Sequence, residues 1–464
     1  MFVPPIRYNI DKRGQTFTDA HDLTQKLAAV SVDSSTFTLT KVQADGQIQE
    51  LSLPVIDDSR PLSYWLPRSV FQQLLYDEAS TTIFCTTIRV FFSSSCDSIE
   101  RVPGIPGGIE VRATLQGDGG LEKMATFRPR LVVGADGLKS MVRQSLRKWE
   151  ETDSDGKTIK PGKGRFDMRK QPSESTGLRY KVLTLPSGFR LGHNDAERAK
   201  SQKAYAIISK FQDPKRALRL GVLPLGPEGG DRQNAPRGGN FITRPGHALW
   251  DIKTVAELKT FLSESFPQIP ITDEIGDDEL GRFVQAPGGR FPSPQYCPGL
   301  QWVVGGSSAM TDQEATAGAG VVLLGDAIHS FPPDLGQGVN SALEDVQVLE
   351  RALDSCGDRV EAALPQYESW RQADSKALIT VKKHVLLFFS RIQFRGLCLY
   401  WPYLLRRPPQ FRSPMQIFMM IQTGTTMRYS EMLESANRTT RRIVFTAASI
   451  ALAVVFRRRL ACSV

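Results

Sequence analysis

Residues 320–353 read GVVLLGDAIHSFPPDLGQGVNSALEDVQVLERAL, and this stretch decides the fold. It opens with Val321, Val322, Leu323 and Leu324, an apolar run of the kind that forms a strand covered on both faces. Gly325 breaks the run. Asp326 follows just past the carboxyl end of the strand, where open α/β sheets place their ligands, and a carboxylate there accepts hydrogen bonds from ligand hydroxyls. Pro332, Pro333, Gly336 and Gly338 stiffen and thin the next loop, so that a flat ligand can lie against bare backbone around Gln337. From about Val339 the pattern turns helical. Val339, Ala342, Leu343, Val346, Leu349 and Leu353 recur at three and four residues, which leaves Glu344, Asp345 and Arg351 for the other face. The amino end of that helix points at the loop and favours negative charge there, through its dipole and the free N–H groups near Asn340.

A chain of 464 residues has room for two or three domains and a large core. The excess of 58 Lys+Arg over 49 Asp+Glu gives a net charge of +9, which suits an anionic ligand or a membrane surface as well as a merely basic exterior. No RNA-binding or zinc-finger signature is present, so nucleic acid is not an expected partner. The six cysteines are scattered without a C-x-x-C, as in a protein with reduced thiols facing the cytosol. Five histidines form no ligand cluster, and no metal is expected.

Upstream, residues 36–53 alternate as a strand pair with a turn at Asp45-Gly46. Tyr64 to Arg68 leads into a helix on which Val70, Phe71, Leu74 and Leu75 are spaced helically. Residues 80–130 read as strands joined by Gly- and Pro-rich turns, ending in Arg130-Leu131-Val132-Val133-Gly134-Ala135-Asp136-Gly137-Leu138-Lys139-Ser140-Met141-Val142-Arg143. The physics of the quoted stretch repeats here: an apolar strand, a Gly turn, and Asp136 at a helix entrance. Arg179 to Leu185, Ala204 to Phe211 and Ala217 to Leu225 are strand-like, and Val255 to Phe266 is helical. The loop Gly305 to Gly318 carries small residues, as a mobile segment or a surface turn does.

Two of these motifs carry a resemblance. GDAIHSFPPDLGQGVNSALED, residues 325–345, resembles the GDAxHxxxPxxGQGxNxxxED signature of FAD-dependent aromatic hydroxylases, and within them the kynurenine 3-monooxygenase group. GADGLKSMVR, residues 134–143, resembles their GADGxxSxVR segment. The resemblance implies an α/β protein, with a Rossmann-like FAD-binding domain, an inserted β-sheet substrate domain and a C-terminal helical region. Residues 1–165 are then a partial FAD-binding domain with some substrate-domain strands, 166–300 the substrate sheet, 301–356 the return of the FAD-binding domain, 357–440 the helices, and 441–464 a tail. It also implies that NADPH or NADH reduces bound FAD. The reduced flavin takes up O2 as a C4a-hydroperoxide, which inserts one oxygen atom into a small aromatic or apolar substrate. No side chain need act as a nucleophile. Gly325 and Asp326 are expected at the ribityl chain and Gly336, Gln337, Gly338, Val339 and Asn340 at the isoalloxazine. Asp136 and Arg68 position the cofactor, although a solvated Arg at a helix start explains Arg68 equally well.

The resemblance also exposes two departures. The family opens with a strand, a G-x-G-x-x-G turn and a helix that hold the FAD diphosphate. Residues 1–14, MFVPPIRYNIDKRG, have no such unit, and Asn9 to Leu27 resembles the family segment that comes after that unit. The expectation is a fold whose first βαβ unit is missing, through truncation or through loss of the dinucleotide fold. The second departure concerns the substrate. The kynurenine enzymes recognise an amino acid with polar groups that Val385 and Phe388 replace here, and residues 47–61 offer Arg60 but no Tyr. Tyr429, in Arg428-Tyr429-Ser430-Glu431, is the one expected substrate contact that is kept. A substrate less charged than kynurenine is expected. A non-catalytic, membrane-bound remnant of the fold and a lipid-directed flavin epoxidase or reductase are the rival readings.

The tail holds 14 mostly apolar residues, Ile443 to Phe456, between arginines on both sides. At 1.5 Å per residue it spans about 21 Å, short of the roughly 30 Å of a bilayer core, which flanking arginines can extend. A membrane anchor is expected, with a buried terminal helix as the alternative. The resemblance suggests a cytosol-facing protein on the outer mitochondrial membrane.

Overall fold

The computed structural model describes residues 7–390 apart from short stretches, of which 226–235 and 306–317 are the longest. Beyond these it describes 426–435 and single positions up to 452, and for 381–390 the helical backbone only. The expected loop at 305–318 therefore lies almost wholly outside the described residues, as do Arg60 and the side chains of Val385 and Phe388.

The apolar run forms the strand Ala319–Leu323, buried at every position. It pairs in parallel with Leu131–Gly134, the strand of the second motif, with Val321 beside Val132 and Leu323 beside Gly134. On its other side it pairs antiparallel with Gln301–Val304. Two βα units nearly two hundred residues apart thus end side by side, both delivering their Gly-Asp turns to one rim. A Cβ on Gly134 would stand 2.8 Å from Leu323 Cδ2 and from Val142, so the close approach of this strand to its own helix requires glycine.

The largest sheet has seven strands, in the order Gly289–Arg290, Arg179–Leu185, Arg237–Thr243, Arg219–Pro224, Ala204–Ile208, Phe37–Val42 and Ile48–Leu53. The turn at Asp45-Gly46 is where the sequence places it, with Gly46 at φ +85°. Period-two alternation decides the two faces. Leu220, Val222, Leu183, Ile207 and Phe241 enter a core with Leu258, Leu262, Phe266, Leu280 and Phe283 of the helices Val255–Ser265 and Asp277–Gln285. Gly221, Leu223, Val182, Asn240 and Ile242 face a cavity instead. The capping box Thr254/Glu257 starts the first of these helices.

The strand Arg7–Asp11 closes the cavity from the amino-terminal side and leads into the helix Lys12–Ala20. Helix Gly338–Ser355 packs against them and against the long helix Val360–Ser390, which tolerates Pro365 near its start. Gly14 makes the first packing possible. A Cβ there would fall 2.3 Å from Asn340 Oδ1, the atom that accepts the backbone N–H of Asp11. Gly→Ala in a helix normally stabilises by about 0.5–1 kcal/mol. We expect Gly14→Ala to do the opposite, lowering stability by about 1–3 kcal/mol through overpacking, as read from the thermal unfolding midpoint. A raised midpoint would show that Asn340 yields without cost.

Among the described residues no helix is long and apolar enough to cross a membrane. The segment 443–456 lies almost wholly outside those residues, and of its described members Phe445 is exposed.

Candidate active site

A cavity of about 1910 Å³ separates the seven-stranded sheet from the Gly-Asp turn and the loop after it. Gly325, at φ +59°, turns the chain at the end of the buried strand, and Asp326 follows in a single turn of 3-10 helix. Asp326 is exposed to the cavity and closely enclosed by protein. That enclosure pushes its carboxyl up from the usual value, against the opposing positive charges of His329 and Arg68. Arg68, the first residue of helix Arg68–Thr81, lines the same cavity. Tyr8 lines the cavity as well and packs edge-on against Phe71 at 6.1 Å.

Gly336 at φ +64°, Gln337, Gly338 and Val339 form the next part of the wall. Among the described residues nothing lies within 4 Å of a Cβ built on Gly336 or Gly338, so a planar group can approach the backbone from the cavity. Among the described residues no side chain caps the helix that starts at Gly338. Its first N–H groups and dipole remain available to an electron-rich ligand. Asn340 does not reach the cavity: it is fully buried, accepting from Asp11 N at 3.1 Å and donating to Asn9 O at 2.8 Å and Gly336 O at 3.1 Å. It locks the loop to the amino-terminal strand.

Two further site residues stand elsewhere than expected. The Asp136 carboxylate accepts from the backbone N–H of Met141 at 2.6 Å and Val142 at 3.1 Å, so it caps the helix Met141–Thr152, and its neighbours Ala135 and Gly137 line the cavity. Tyr429 lies behind the wall rather than in it. It is fully buried, donates to Gln337 Oε1 at 2.6 Å, and has the Arg13 guanidinium 4.1 Å over its ring. Gln337 in turn donates to Asp11 Oδ2 at 2.7 Å. Tyr429 therefore holds the loop in place. Tyr429→Phe leaves a buried amide oxygen without its donor, a cost of about 1–3 kcal/mol. The expected readout is a lower melting temperature with weaker cofactor binding. A change in substrate KM alone would return Tyr429 to the substrate.

The helix Gly338–Ser355 corrects the face assignment drawn from periodicity. Asp345, expected on the outer face with Glu344, is completely buried, whereas Val346 is exposed towards the cavity. Asp345 Oδ2 accepts from Gly325 N and from His329 Nε2, both at 2.8 Å, and Oδ1 accepts from Arg371 Nε at 2.5 Å. Arg371 also donates to Glu344 Oε2 at 2.7 Å and to Ser341 Oγ at 2.8 Å, and Glu344 pairs with Arg13. Burial works against the charged Asp345, but His329 and Arg371 hold its carboxyl below the usual range. This ion cluster ties the Gly-Asp turn to the long carboxyl helix. His329 and Arg371 carry no role in the sequence reading. The Arg371-x-x-Asp374 pair on an otherwise buried helix face is the signal that marks a charge cluster inside.

The arrangement fits the isoalloxazine and ribityl half of FAD, with open glycine backbone, an uncapped helix start and an enclosed acceptor on one wall. For the diphosphate, no G-x-G-x-x-G turn after a strand stands among the described residues. Fold and signature together resemble those of the FAD-dependent aromatic hydroxylases, and a family described as FAD binding domain matches residues 306–382. Kynurenine 3-monooxygenases are among the proteins the chain is similar to. It is 26% identical to the kynurenine 3-monooxygenase of Salinispora arenicola, over 79% of this chain and 68% of that protein. It is 25% identical to violacein synthase of Chromobacterium violaceum, over 72% and 63%. The chain thus spans about two thirds of the length of these relatives. A crystal structure of Klebsiella pneumoniae HpxO complexed with FAD shares the fold, with 17% identity, 91% of each chain covered and a TM-score of 0.51.

Proposed function

We propose that this protein is an NAD(P)H-consuming, FAD-dependent monooxygenase that hydroxylates a small aromatic substrate. The observation that carries the reading is the cavity, with a flavin-shaped wall of glycine backbone and Asp326 facing the open side of the substrate sheet. FAD, when bound, supplies the redox chemistry and the activation of O2. The chain's own residues then have four tasks. Asp326 accepts hydrogen bonds from ribityl hydroxyls. The N–H groups at the start of helix Gly338–Ser355 would hold the electron-rich ring. Arg68 balances charge near Asp326. The sheet face around Asn240 and Leu223 positions the substrate ring and keeps water from it. The names of the relatives, a kynurenine hydroxylase among them, and the FAD held by a protein of the same fold support this reading.

The test is to purify the protein and measure its visible spectrum, the flavin released on denaturation, and NADPH oxidation with a panel of phenols and anilines. Yellow protein, FAD release and ring-stimulated NADPH consumption, with a product one oxygen atom heavier, are expected. Colourless protein that takes up no added FAD would sink the proposal. Membrane attachment through residues 443–456 belongs to the same proposal, supported by the arginines on both sides of the apolar run. Co-flotation with anionic liposomes, lost on deletion of 441–464, checks it.

A further inference from the structure

The cavity is larger than the flavin and one ring require. Ligand pockets that bury a drug-sized molecule run to about 300–1,000 Å³. The isoalloxazine and ribityl half of FAD is one load of that size and a single-ring substrate a smaller one, so the two leave part of the 1910 Å³ unfilled. The floor of the cavity is the seven-stranded sheet, of which six strands contribute, from Gly289–Arg290 to Phe37–Val42. Five gaps of about 4.8 Å between those strands make the floor about 24 Å wide.

The middle of this floor is bare. Gly221 pairs with Ala206 on one neighbouring strand and with Asn240 on the other. Ala204, two residues before Ala206 and so on the same face, pairs with Leu39. Gly221, Ala204 and Ala206 all line the cavity, and none has a side chain beyond Cβ. The Asn240 side chain is engaged with Arg7, whose Nη2 donates to Asn240 Oδ1 at 2.9 Å while Nη1 donates to Gly238 O at 2.8 Å. Glycine weakens a strand interior, and it stands there where the chain bulges or where another backbone or a ligand comes close. Gly221 lies in regular register with both neighbours. Among the described residues a Cβ built on it would meet only Asn240 O, at 3.9 Å, so no protein group demands the glycine. Apolar surface beside it is uncovered as well: Ile242 of the sheet is 39% exposed, and Val346 of helix Gly338–Ser355 is 36% exposed, both lining the cavity. Uncovered apolar side chains in a concave site mark ligand contact.

Resting on the reading of the cavity as a flavin and substrate site, we propose that the floor at Gly221, Ala204 and Ala206 is a subsite for additional fused rings of the substrate, which is a flat, multi-ring aromatic compound. The reacting ring lies by Leu223 and Asn240, and the further rings lie flat on the backbone at Gly221. The missing side chains select for size, since a single ring leaves this part of the floor uncovered.

The experiment is calorimetric titration of the purified full chain with phenol, 2-naphthol and 9-phenanthrol, which carry one hydroxyl on one, two and three rings, with FAD content measured on the same samples. Affinity is expected to rise about 10-fold with each added ring, as burial of the extra apolar surface provides. Gly221→Phe fills the floor and should remove most of that gain while FAD content stays the same. Ala204→Leu fills it from the neighbouring strand and should do likewise, which decides the matter if Gly221→Phe does not fold. Equal affinity for the three compounds overturns the subsite, as does a gain that survives either substitution in a folded protein. Binding of NADP+ that Gly221→Phe abolishes while the gain remains also overturns it, by giving the floor to the nicotinamide nucleotide. FAD-free protein with the gain intact overturns the flavoprotein reading and leaves the subsite standing, and FAD-loaded protein without the gain does the reverse.

Discussion

Arg371→Met is expected to cost about 3–5 kcal/mol of stability, the usual consequence of removing one partner from a buried ion cluster. The side chain it removes is completely buried, and it bridges Asp345 Oδ1, Glu344 Oε2 and Ser341 Oγ. Without it the Asp345 carboxylate keeps His329 and the Glu344 carboxylate keeps Arg13 as partners. The effect should appear as a large drop in the urea midpoint. Arg371→Lys should recover only part of it, because one ammonium cannot reproduce a planar fork aimed at three acceptors. The pH dependence carries a second signature. The Asp345 carboxyl is held below its usual range, so its contribution is present above the unfolded-state pKa of about 3.9 and is lost as pH falls through the lower folded value. The unaltered protein should therefore lose stability steeply only at strongly acid pH, and Asp345→Asn should flatten that limb. A drop below about 1 kcal/mol for Arg371→Met would show that the cluster is not the fastening between the carboxyl helix and the Gly-Asp turn.

Asp326→Asn is expected to weaken FAD binding by roughly 10- to 100-fold while leaving the cofactor-free protein at least as stable as before. The two effects have opposite signs because the residue sits in an unfavourable place for a charge. Enclosure raises the Asp326 carboxyl above its unfolded value. A group raised in this way opposes folding once pH exceeds the unfolded pKa of about 3.9, and the opposition is complete above the folded pKa. The amide removes that penalty at neutral pH and removes nothing below pH 3.9. It also loses a charge-assisted acceptor for hydroxyl groups, which is worth about 1.5–3 kcal/mol. Fluorescence titration with FAD, beside a melting curve of the cofactor-free protein, separates the two. A variant that binds FAD as tightly as the unaltered protein would remove Asp326 from the cofactor site.

The local grammar of this chain is read easily, and its long-range polar contacts are not. The strand before Gly325, the turn at Asp45-Gly46 and the helix after Gly338 follow from apolar runs and glycine placement, which act over a few residues. The roles of Asp345 and Tyr429 depend on partners delivered from elsewhere in the chain. A helical wheel assigns Asp345 to solvent because it counts charge as polar, and nothing within one helix announces that Arg371 will arrive to neutralise it. Tyr429 can meet either a substrate or Gln337, and only the position of the neighbouring loop decides. Arg7 is the extreme case. The strand Arg237–Thr243, which receives it, holds an Arg and two glycines and comes after a Gly- and Pro-containing stretch of sequence, so periodicity does not mark it as a strand at all.

The cavity wall is assembled from pieces that meet late along the chain. The hydrogen bond from Asp11 to Asn340 joins residues 329 apart in sequence, and Gln337 waits for Tyr429, 92 residues further on. Closing loops of that size carries an entropic cost before any contact forms, and non-local pairing slows folding. During synthesis the substrate sheet and its helices, complete by residue 290, can therefore form well before the cofactor wall exists. Newly made chains should pass through a state with a finished substrate sheet and no flavin site, open to proteases at residues 325–345, and FAD added during refolding should shorten its lifetime.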